Sequence, residues 1–284
     1  MRLIIYHNDA DGFASAYCAW KIYGHDKTDY MPTDYGMPVI EFTKYDELIL
    51  LDFSYPRNYL EEMYELLEGK LLILDHHKSA EENLKGLDYC IFDSEKSGAT
   101  LAWAYFNNYN PHIKIPELLE YVEDFDLWKF HKGEDTKRIA AALESYRHLN
   151  TFEIWDKWIE DWSFHGEKLI AEGKTIVRYQ DFIVDSLKRD SYLQTWVVNG
   201  KVIDIPMVNT RQVISRTGNV LAQGKPFAAT YYDVHGQRNW SLRSDENGWD
   251  VSEVAKMKGG GGHYHAAGFN TYDDDGPILT FTKE

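Results

Sequence analysis

A run of four consecutive aliphatic residues, Leu71–Leu74, is followed at once by Asp75, His76 and His77. An uninterrupted aliphatic run is typical of a strand buried on both faces of a parallel sheet. In open α/β sheets the carboxyl ends of the strands form the crevice where ligands bind. The triplet is therefore placed for chemistry, although two surface histidines at a strand end explain these residues equally well when they are taken alone.

Two more apolar runs end in the same way. Residues Leu3–Tyr6 lead into the loop His7–Gly12, and residues Leu48–Leu51 lead into Asp52. Three such endings within about the first 80 residues are hard to assign to chance, and parallel strands bring their carboxyl ends to one edge of a sheet. The pattern predicts a metal site at that edge.

Helical and strand-like segments alternate along the N-terminal half, which predicts an α/β fold with a doubly wound parallel sheet. Residues 27–39 hold two prolines and a glycine, and they are expected to form a loop with a short strand. The other predicted elements of this half are helices at 13–23, 59–68 and 99–106 and a strand near 89–92.

The pattern from residue 115 to about 189 is helical, with a long helix expected at 167–188. Trp155, Trp158 and Trp162 recur at intervals of three and four, which is more typical of helix core than of a base-stacking platform. Strand patterns return beyond the long helix. We predict an N-terminal metal-binding catalytic domain at 1–150, a helical linker at 151–190 and a smaller α/β domain at 191–284.

The loop after the first strand brings an imidazole and two carboxylates, His7, Asp9 and Asp11, into a small volume. This arrangement is repulsive unless cations neutralise it. Carboxylates with a few imidazoles suit Mn²⁺ or Mg²⁺ better than Zn²⁺. Further carboxylates come from Glu123, Asp124 and Asp126.

The ligand count is sufficient for two divalent ions, Mn²⁺ or Mg²⁺. A pair of such ions serves phosphoester hydrolysis by activating a water and bearing the charge on the phosphoryl oxygens. Calcium or a single structural metal is the alternative. An EF-hand is excluded because the glutamate at its twelfth position is absent.

The formal net charge of −16 argues against a protein that grips long nucleic acid, since such proteins carry a basic face that displaces counterions from many phosphates. The charge is uneven: residues 190–284 sit near −2, and the first 189 residues hold about −14. An anionic substrate would meet the less repulsive surface in the C-terminal part.

No apolar run approaches the length of a membrane span, and the start of the chain turns acidic too soon for a signal peptide. A cytoplasmic location is the expectation. The two cysteines, Cys18 and Cys90, lack the spacing of a zinc or redox pair and are expected to be reduced core residues.

Three motifs, HNDADG at 7–12, LLDFS at 50–54 and LDHHK at 74–78, closely resemble the first motifs of the DHH phosphoesterase superfamily. That superfamily contains RecJ-type exonucleases, nano-RNases, cyclic-dinucleotide phosphodiesterases and family II pyrophosphatases. The stretch 239–269, with its Leu-Arg-Ser and Gly-Gly-Gly-His signatures, is similar to the substrate-binding domain called DHHA1. The resemblance spans both ends of the chain in the right order.

The resemblance implies that His7, Asp9 and Asp52 hold one ion. It implies that a second ion is held by Asp11, Asp52, His76 and Asp124. Asp52 would then bridge the two ions. Asp126 competes with Asp124, because the fourth motif varies.

Two catalytic roles follow from the same resemblance. His77 would face the scissile phosphate or the leaving oxygen, and Asp75 would orient the neighbouring imidazole. Ser97 and Gly98 open a predicted helix, where a hydroxyl and backbone N–H groups are expected to contact a phosphate.

In the C-terminal domain the resemblance assigns substrate binding to Arg243, Ser244, Gly260, Gly261, Gly262 and His263. Glycines let backbone amides approach an anion closely, and an arginine suits bidentate phosphate capture. Taken alone, the glycine run fits a loop that ends a helix equally well.

We predict a metal-dependent phosphodiesterase that hydrolyses short linear oligonucleotides or dinucleotides to mononucleotides. The DHHA1-like tail argues against a pyrophosphatase. The alternatives are a RecJ-like exonuclease on single-stranded DNA, a phosphatase of 3′,5′-bisphosphorylated nucleotides, and a nucleotide-binding protein that has lost the reaction. We expect no long duplex nucleic acid and no membrane as partners, and a homodimer is left open.

Overall fold

A computed structural model describes residues 1–272 and 280–281 of the chain. The chain divides into unit 1, Met1–Val177, and unit 2, Arg178–Glu284. The division falls inside one long helix, within the segment 151–190 that was predicted to link two domains. Residues 273–279 and 282–284 of the predicted C-terminal domain lie outside the described residues.

Unit 1 alternates strand and helix and then becomes wholly helical. Its elements are β1 (Arg2–His7), α1 (Ala10–Tyr23), β2 (Thr28–Thr33), β3 (Glu47–Leu51), α2 (Arg57–Leu66), β4 (Leu71–Asp75), α3 (Lys78–Leu84), β5 (Cys90–Phe92), α4 (Gly98–Phe106), α5 (Glu117–Asp126), α6 (Glu134–Ser145), α7 (Phe152–Glu160) and the start of α8 (Trp162–Asp190).

The strands of unit 1 form one five-stranded parallel sheet in the order β2-β1-β3-β4-β5. This confirms the predicted parallel α/β architecture. The strand order changes direction between β1 and β3, and such a switch point is where open α/β sheets place their ligands, outside the carboxyl ends of the strands. The sheet therefore provides one obvious crevice.

Both faces of this sheet are covered, which explains the uninterrupted apolar runs. Ile4 and Ile49 point to one face and pack with residues of α1 and α4 to α7. Leu3 and Leu48 point to the other face and pack with residues of α2 and α3. Each fully buried side chain of this size contributes roughly 1.5–3 kcal/mol relative to exposure, so the two cores hold the strand ends in place.

The tryptophan pattern of the helical region is core, as the spacing predicted. Trp155 is fully buried and Trp158 is nearly so. The ring of Trp162 lies 5.8 Å from that of Tyr121, centroid to centroid. These rings attach α7 and α8 to the body of unit 1.

The short strand expected in the loop at 27–39 is β2, and it lies at the edge of the sheet beside β1. Pro32 lies within it, at a position paired with Tyr6. Proline has no N–H to donate to a ladder and is therefore tolerated at an edge.

Unit 2 contains the end of α8 and a mixed seven-stranded sheet in the order β10-β11-β9-β8-β7-β6-β12. Its other elements are β6 (Tyr192–Val198), β7 (Lys201–Asn209), α9 (Ile214–Ala222), β8 (Ala228–Val234), β9 (Gln237–Arg243), α10 (Val251–Lys256), β10 (Gly261–His263), β11 (Ala266–Tyr272) and β12 (Thr280–Phe281). Trp196, Phe227 and Trp240 form the centre of its core. Within the described residues of both units, helices long and apolar enough to span a bilayer are absent.

Candidate metal centre

The segment from the last residue of β1 to the first turn of α1, called here the first loop (His7–Gly12), carries the first pair of candidate ligands. Asp9 is the N-cap of α1, and its Oδ1 accepts a hydrogen bond from the Gly12 N–H over 2.9 Å. Its Oδ2 lies 2.9 Å from His7 Nδ1. One carboxylate therefore starts the helix and also holds the imidazole.

Asp11 lies in the first turn of α1 and is buried against the start of α4. Its carboxylate accepts hydrogen bonds from the N–H groups of Gly98 at 2.6 Å and Ala99 at 3.0 Å. A negative charge is stabilised at a helix N-terminus, where backbone N–H groups lack partners within the helix. The Asp11 carboxylate therefore joins the start of α1 to the start of α4, which lie far apart in the sequence.

Gly98 is required for the approach of α4 to the end of β3. A Cβ atom at this position would lie 2.5 Å from the Cβ of Asp52. Any larger residue would push the helix away from the carboxylates.

Asp52 follows β3 and lies within 4 Å of three imidazoles of the centre. Its Oδ1 lies 3.1 Å from His76 Nε2 and 3.9 Å from His77 Nδ1, and its Oδ2 lies 3.7 Å from His7 Nδ1. The side chain is almost fully buried. Its backbone has φ +55°, in the left-handed region that non-glycine residues seldom adopt.

Asp75 is fully buried behind the two histidines and orients them. It accepts hydrogen bonds from the backbone N–H groups of His76 at 2.7 Å and His77 at 3.2 Å, and it lies 2.7 Å from His77 Nδ1. Its other oxygen accepts a hydrogen bond from Ser54 Oγ over 2.9 Å. Ser54 was missed at the sequence level, and its signal was its position in the same LLDFS motif as Asp52.

The structure places Asp126, and not Asp124, in the cluster. Asp126 Oδ2 lies 3.5 Å from His76 Nε2, which also lies 3.7 Å from Asp11 Oδ2. Asp126 is the last residue of α5, where the helix dipole disfavours a negative charge. A cation beside it would offset that cost.

Asp124, the ligand preferred from the sequence, serves the following loop instead. Its carboxylate accepts hydrogen bonds from the N–H groups of His131 at 2.7 Å and Lys132 at 3.0 Å and from the Thr136 hydroxyl. The assignment of Asp124 to an ion is therefore not supported by the geometry. Asp126, the other carboxylate considered from the sequence, lies in the cluster instead.

The predicted phosphate contact of Ser97 is likewise not supported. Ser97 is fully buried, and its N–H lies 3.3 Å from Glu123 Oε2. The N–H of Gly98, which was expected to contact a phosphate, donates to Asp11 instead. The start of α4 binds a carboxylate of the chain.

The charges of the cluster shift the pKa values of its members strongly. Burial raises the pKa of Asp11 well above its usual range, and the negative charges of Asp52 and Asp126 add to this effect. Burial also raises the pKa of Asp126 to about 6. Both shifts mean that this group of carboxylates lacks positive charge.

The imidazoles respond in the opposite sense. Burial lowers the pKa of His7, but the negative charges of Asp9 and Asp52 outweigh it and raise the pKa to about 11. The pKa of His76 rises to about 11 in the same way, chiefly through Asp52 and then Asp126. Protons on the imidazoles therefore offset the negative charge of the carboxylates, and bound divalent cations would supply this positive charge instead.

The donor set fits two divalent cations. Ligand atoms of His7, Asp9 and Asp52 all lie within 4.8 Å of one another, and so do those of Asp11, His76 and Asp126. A third group of the same spacing contains Asp52, Asp75 and His77. Carboxylate oxygens with single imidazoles are the ligands that Mn²⁺ and Mg²⁺ take in proteins.

In unit 2, Arg243 lies at the end of β9 with little solvent around its guanidinium. Burial lowers its pKa to about 10. Its Nη2 donates to Ser215 Oγ over 2.7 Å and its Nη1 donates to the Leu242 carbonyl oxygen over 2.8 Å. Across residues 1–272, no acidic side chain forms an ion pair with it. This arrangement is suitable for binding an external anion.

Ser244, the next residue, is buried and its hydroxyl lies 3.0 Å from His265 Nδ1. The glycine run has a structural function as well. A Cβ at Gly260 would lie 2.1 Å from the Gly268 carbonyl oxygen, and one at Gly262 would lie 2.5 Å from that of Ala266. Gly260 precedes the edge strand β10, and Gly261, Gly262 and His263 form this strand, which pairs with β11.

Comparison with known proteins identifies similar sequences. The sequence model of the DHH family, N-terminal domain, matches residues 2–122. The uncharacterized protein R106 of Acanthamoeba polyphaga mimivirus is 30% identical over 315 residues, which span 99% of this chain and 72% of that protein. The oligoribonuclease NrnB of Bacillus subtilis (strain 168) is 26% identical over 298 residues, which span 94% of this chain and 72% of that protein.

Among solved structures, RecJ from Thermus thermophilus in complex with Mn²⁺ has a similar fold, with a TM-score of 0.55 and 14% sequence identity. The similarity covers 99% of this chain and 53% of that one. It therefore concerns the fold alone and extends over both units.

Proposed function

The chain belongs to the DHH family of phosphoesterases, and on that premise we propose that it hydrolyses short linear oligonucleotides, dinucleotides included, to mononucleotides. Hydrolase activity on phosphoester bonds follows from the family. The finer assignment is supported by NrnB, an oligoribonuclease that aligns with 94% of this chain.

The observation that carries the proposal is the sharing of Asp52. Its two oxygens lie near imidazoles from two other strand ends, His7 and His76. We assign one ion to His7, Asp9 and Asp52 and the other to Asp11, Asp52, His76 and Asp126, with Mn²⁺ preferred and Mg²⁺ as the alternative. When bound, such a pair would activate a water and offset the charge on the phosphoryl oxygens.

The residues of the chain perform the other functions. Asp75 holds the His77 ring through Nδ1, and this fixed orientation suits His77 for a hydrogen bond to the scissile phosphate or the leaving oxygen. The aliphatic cores on both faces of the sheet keep the strand ends at constant separation, so these groups are positioned before substrate arrives.

Within unit 2, we assign phosphate binding to Arg243. The guanidinium lies in a poorly solvated position, where a charge-assisted hydrogen bond to phosphate is strong. Ser244, His263 and the glycine run would surround this phosphate, as the resemblance to DHHA1 implies.

The acidity of the chain supports a short substrate. A net charge of −16 gives a long polyanion few places to bind, because nonspecific affinity for nucleic acid comes from the phosphates that basic side chains neutralise. A dinucleotide has few phosphates, so a few specific groups are sufficient to hold it.

The test is product analysis with Mn²⁺ on a ladder of 5′-labelled RNA and DNA of two to about twenty nucleotides. The longest members exceed the number of nucleotides that a single-strand binding groove typically covers. We expect the highest kcat/KM on the shortest members and mononucleotides as the products. Faster cleavage of the longest members would overturn the length preference and favour a RecJ-like exonuclease, the alternative whose fold this chain shares.

Two further outcomes separate the remaining alternatives. Release of inorganic phosphate from a 3′,5′-bisphosphorylated nucleotide, with no cleavage of dinucleotides, would favour the phosphatase. Nucleotide binding without any Mn²⁺-dependent turnover would favour a binding protein that has lost the reaction.

A further inference from the structure

Tyr35 lies on a tight turn that is tied to the first loop of the metal centre. The turn includes residues 34–37, and the Met37 N–H donates to the Asp34 carbonyl oxygen over 3.2 Å. Gly36 has φ +84°, which the third position of a type II turn requires. The Asn8 side chain donates to Asp34 Oδ2 over 3.1 Å, so the turn is attached directly to the loop that carries candidate ligands.

This turn places the Tyr35 ring against two imidazoles of the centre. Its centroid lies 5.5 Å from that of His7 and 5.6 Å from that of His77. A third ring, that of Phe53, lies 4.8 Å away. These neighbours follow three different strands, so Tyr35 lies across their carboxyl ends.

Tyr35 nevertheless remains 48% exposed. A ring that served only to fill the core would be covered on both faces, as Trp155 is. Three ring contacts together with this exposure leave part of the Tyr35 side chain accessible directly beside the groups proposed to act on a phosphate.

We propose that Tyr35 is a stacking platform for the base of the nucleotide whose phosphate occupies the metal centre. The inference rests on the proposed function and adds a specificity-determining residue to it. The aromatic face would select substrates that carry a nucleobase over phosphodiesters that lack one.

The charge beside Tyr35 is the reason that a base is the fitting occupant. Asp34, an exposed acid that precedes Tyr35 on the same turn, presents negative charge beside the ring, so a further phosphate would be repelled there. A neutral aromatic face attracts the π-face of any base without charge. Tyr35 thus offers affinity for a short nucleotide that the acidic surface cannot supply.

The competing role is purely structural, in which Tyr35 only shields the imidazoles. Shielding would affect every substrate equally, because it acts on the metal centre. Stacking affects only substrates with a base at the right position. The ratio of kcat/KM for two substrates within one variant separates the two roles, since changes in folding or metal content cancel in it.

The experiment uses the full chain with Mn²⁺ and three dinucleotides of equal charge: one with both bases, and two in which one base or the other is replaced by hydrogen. Tyr35→Ala removes the ring, and Tyr35→Phe keeps it. Tyr109→Ala is the control, because Tyr109 is another half-exposed tyrosine, 54% exposed, located beyond the far end of α4.

The preference for the base is the kcat/KM of the dinucleotide with both bases divided by that of an abasic dinucleotide. For one of the two abasic dinucleotides, we expect this ratio to fall about tenfold in Tyr35→Ala, the factor that a base–aromatic stack typically supplies. Tyr35→Phe and Tyr109→Ala should keep the wild-type preference. An equal loss on all three dinucleotides, or an unchanged preference in Tyr35→Ala, would overturn the inference.

A binding measurement keeps this test independent of turnover. Calorimetry with AMP and with ribose 5-phosphate, in Mn²⁺, compares the same phosphate with and without a base. The AMP preference is the affinity for AMP relative to that for ribose 5-phosphate, and its loss in Tyr35→Ala supports stacking. This result would hold even if the wild type cleaved no dinucleotide. In that case the proposed function would fail and the inference would stand. An AMP preference equal to that of the wild type contradicts it.

Discussion

At the scale of single residues, Asp52 combines an unusual backbone with a position close to three imidazoles of the centre. A non-glycine residue in the left-handed region costs on the order of 1–3 kcal/mol, and Asp52 has φ +55°. Its burial between three imidazoles compensates for that cost in the folded chain. Although burial opposes it, the neighbouring imidazoles of His7 and His76 keep the pKa of Asp52 below its usual range, so the group is a carboxylate at neutral pH.

The first prediction concerns this carboxylate. Asp52→Asn should lower kcat/KM by more than about 100-fold, beyond the loss usual for residues that only orient ligands, and should weaken Mn²⁺ binding in parallel. The assay is dinucleotide hydrolysis together with a calorimetric Mn²⁺ titration. Asp26→Asn, at an exposed acid, is the control. Full activity in Asp52→Asn would refute the assignment of two ions.

The second prediction separates Asp126 from Asp124. Asp126→Asn should weaken Mn²⁺ binding at least about tenfold, as loss of a metal contact does, while leaving the free energy of unfolding unchanged or higher, because it removes a charge from a crowded group of acids. Asp124→Asn should lower the free energy of unfolding by about 1–3 kcal/mol, since three donors lose a charged acceptor.

Calorimetry and urea unfolding on both variants make this comparison. If Asp124→Asn weakened Mn²⁺ binding while Asp126→Asn did not, the assignment from the structure would be reversed in favour of the ligand preferred from the sequence.

At the scale of elements, α1 is held in place by polar contacts as well as by its alanine-rich face. Asp156 of α7 accepts hydrogen bonds from the Tyr17 hydroxyl at 2.7 Å and from Lys21 Nζ at 2.8 Å. Both partners lie on α1, whose first turn carries Asp11. The Asp156 carboxylate therefore helps to hold α1 in place, and α1 positions the candidate ligand Asp11 at the strand ends.

The third prediction is a pH dependence of this contact. Burial tends to raise the pKa of Asp156, but the hydrogen bonds from Lys21 and Tyr17 outweigh it and lower the pKa. A lowered folded-state pKa means that the stabilisation is complete above the unfolded value of about 3.9 and is lost as the pH falls through the folded-state pKa.

We expect Asp156→Asn to lower the free energy of unfolding by about 1–3 kcal/mol at pH 7 and by clearly less near pH 3. Urea unfolding at the two pH values measures the difference, with Asp185→Asn, at an exposed acid, as the control. A deficit that grew on acidification would contradict the sign.

At the scale of the whole molecule, charge sets the kind of substrate that can approach. The chain carries 46 acidic and 30 basic side chains. Binding that depends on a few specific groups, and not on a basic groove, releases few counterions.

The fourth prediction is a weak dependence on salt. A protein with six to ten phosphate contacts loses about 10³–10⁵ in affinity between 50 and 200 mM salt, whereas we expect kcat/KM for a dinucleotide to change less than about tenfold over that range. Steady-state kinetics at several KCl concentrations measure it. A steep decline would indicate many phosphate contacts and therefore a longer substrate.

The parallel sheet could be predicted from the order of residues alone, and so could most of the side chains that meet at its edge. Apolar runs such as Leu71–Leu74 are local signals, because burial on both faces demands continuous apolar residues. The endings at His7, Asp52 and Asp75 could be assigned to one edge because parallel strands share a direction. These inferences needed only periodicity and the order of residues along the chain.

Three features could not be predicted without the three-dimensional fold: Asp126 and not Asp124 lies in the cluster, Ser97 is buried, and Tyr35 contacts the imidazoles. Each outcome depends on where a helix or a turn lies relative to the sheet, and that position is set by contacts between residues far apart in sequence. Asp11 illustrates the cause: its carboxylate takes the N–H groups of Gly98 and Ala99, a pairing over 87 positions that no local pattern contains.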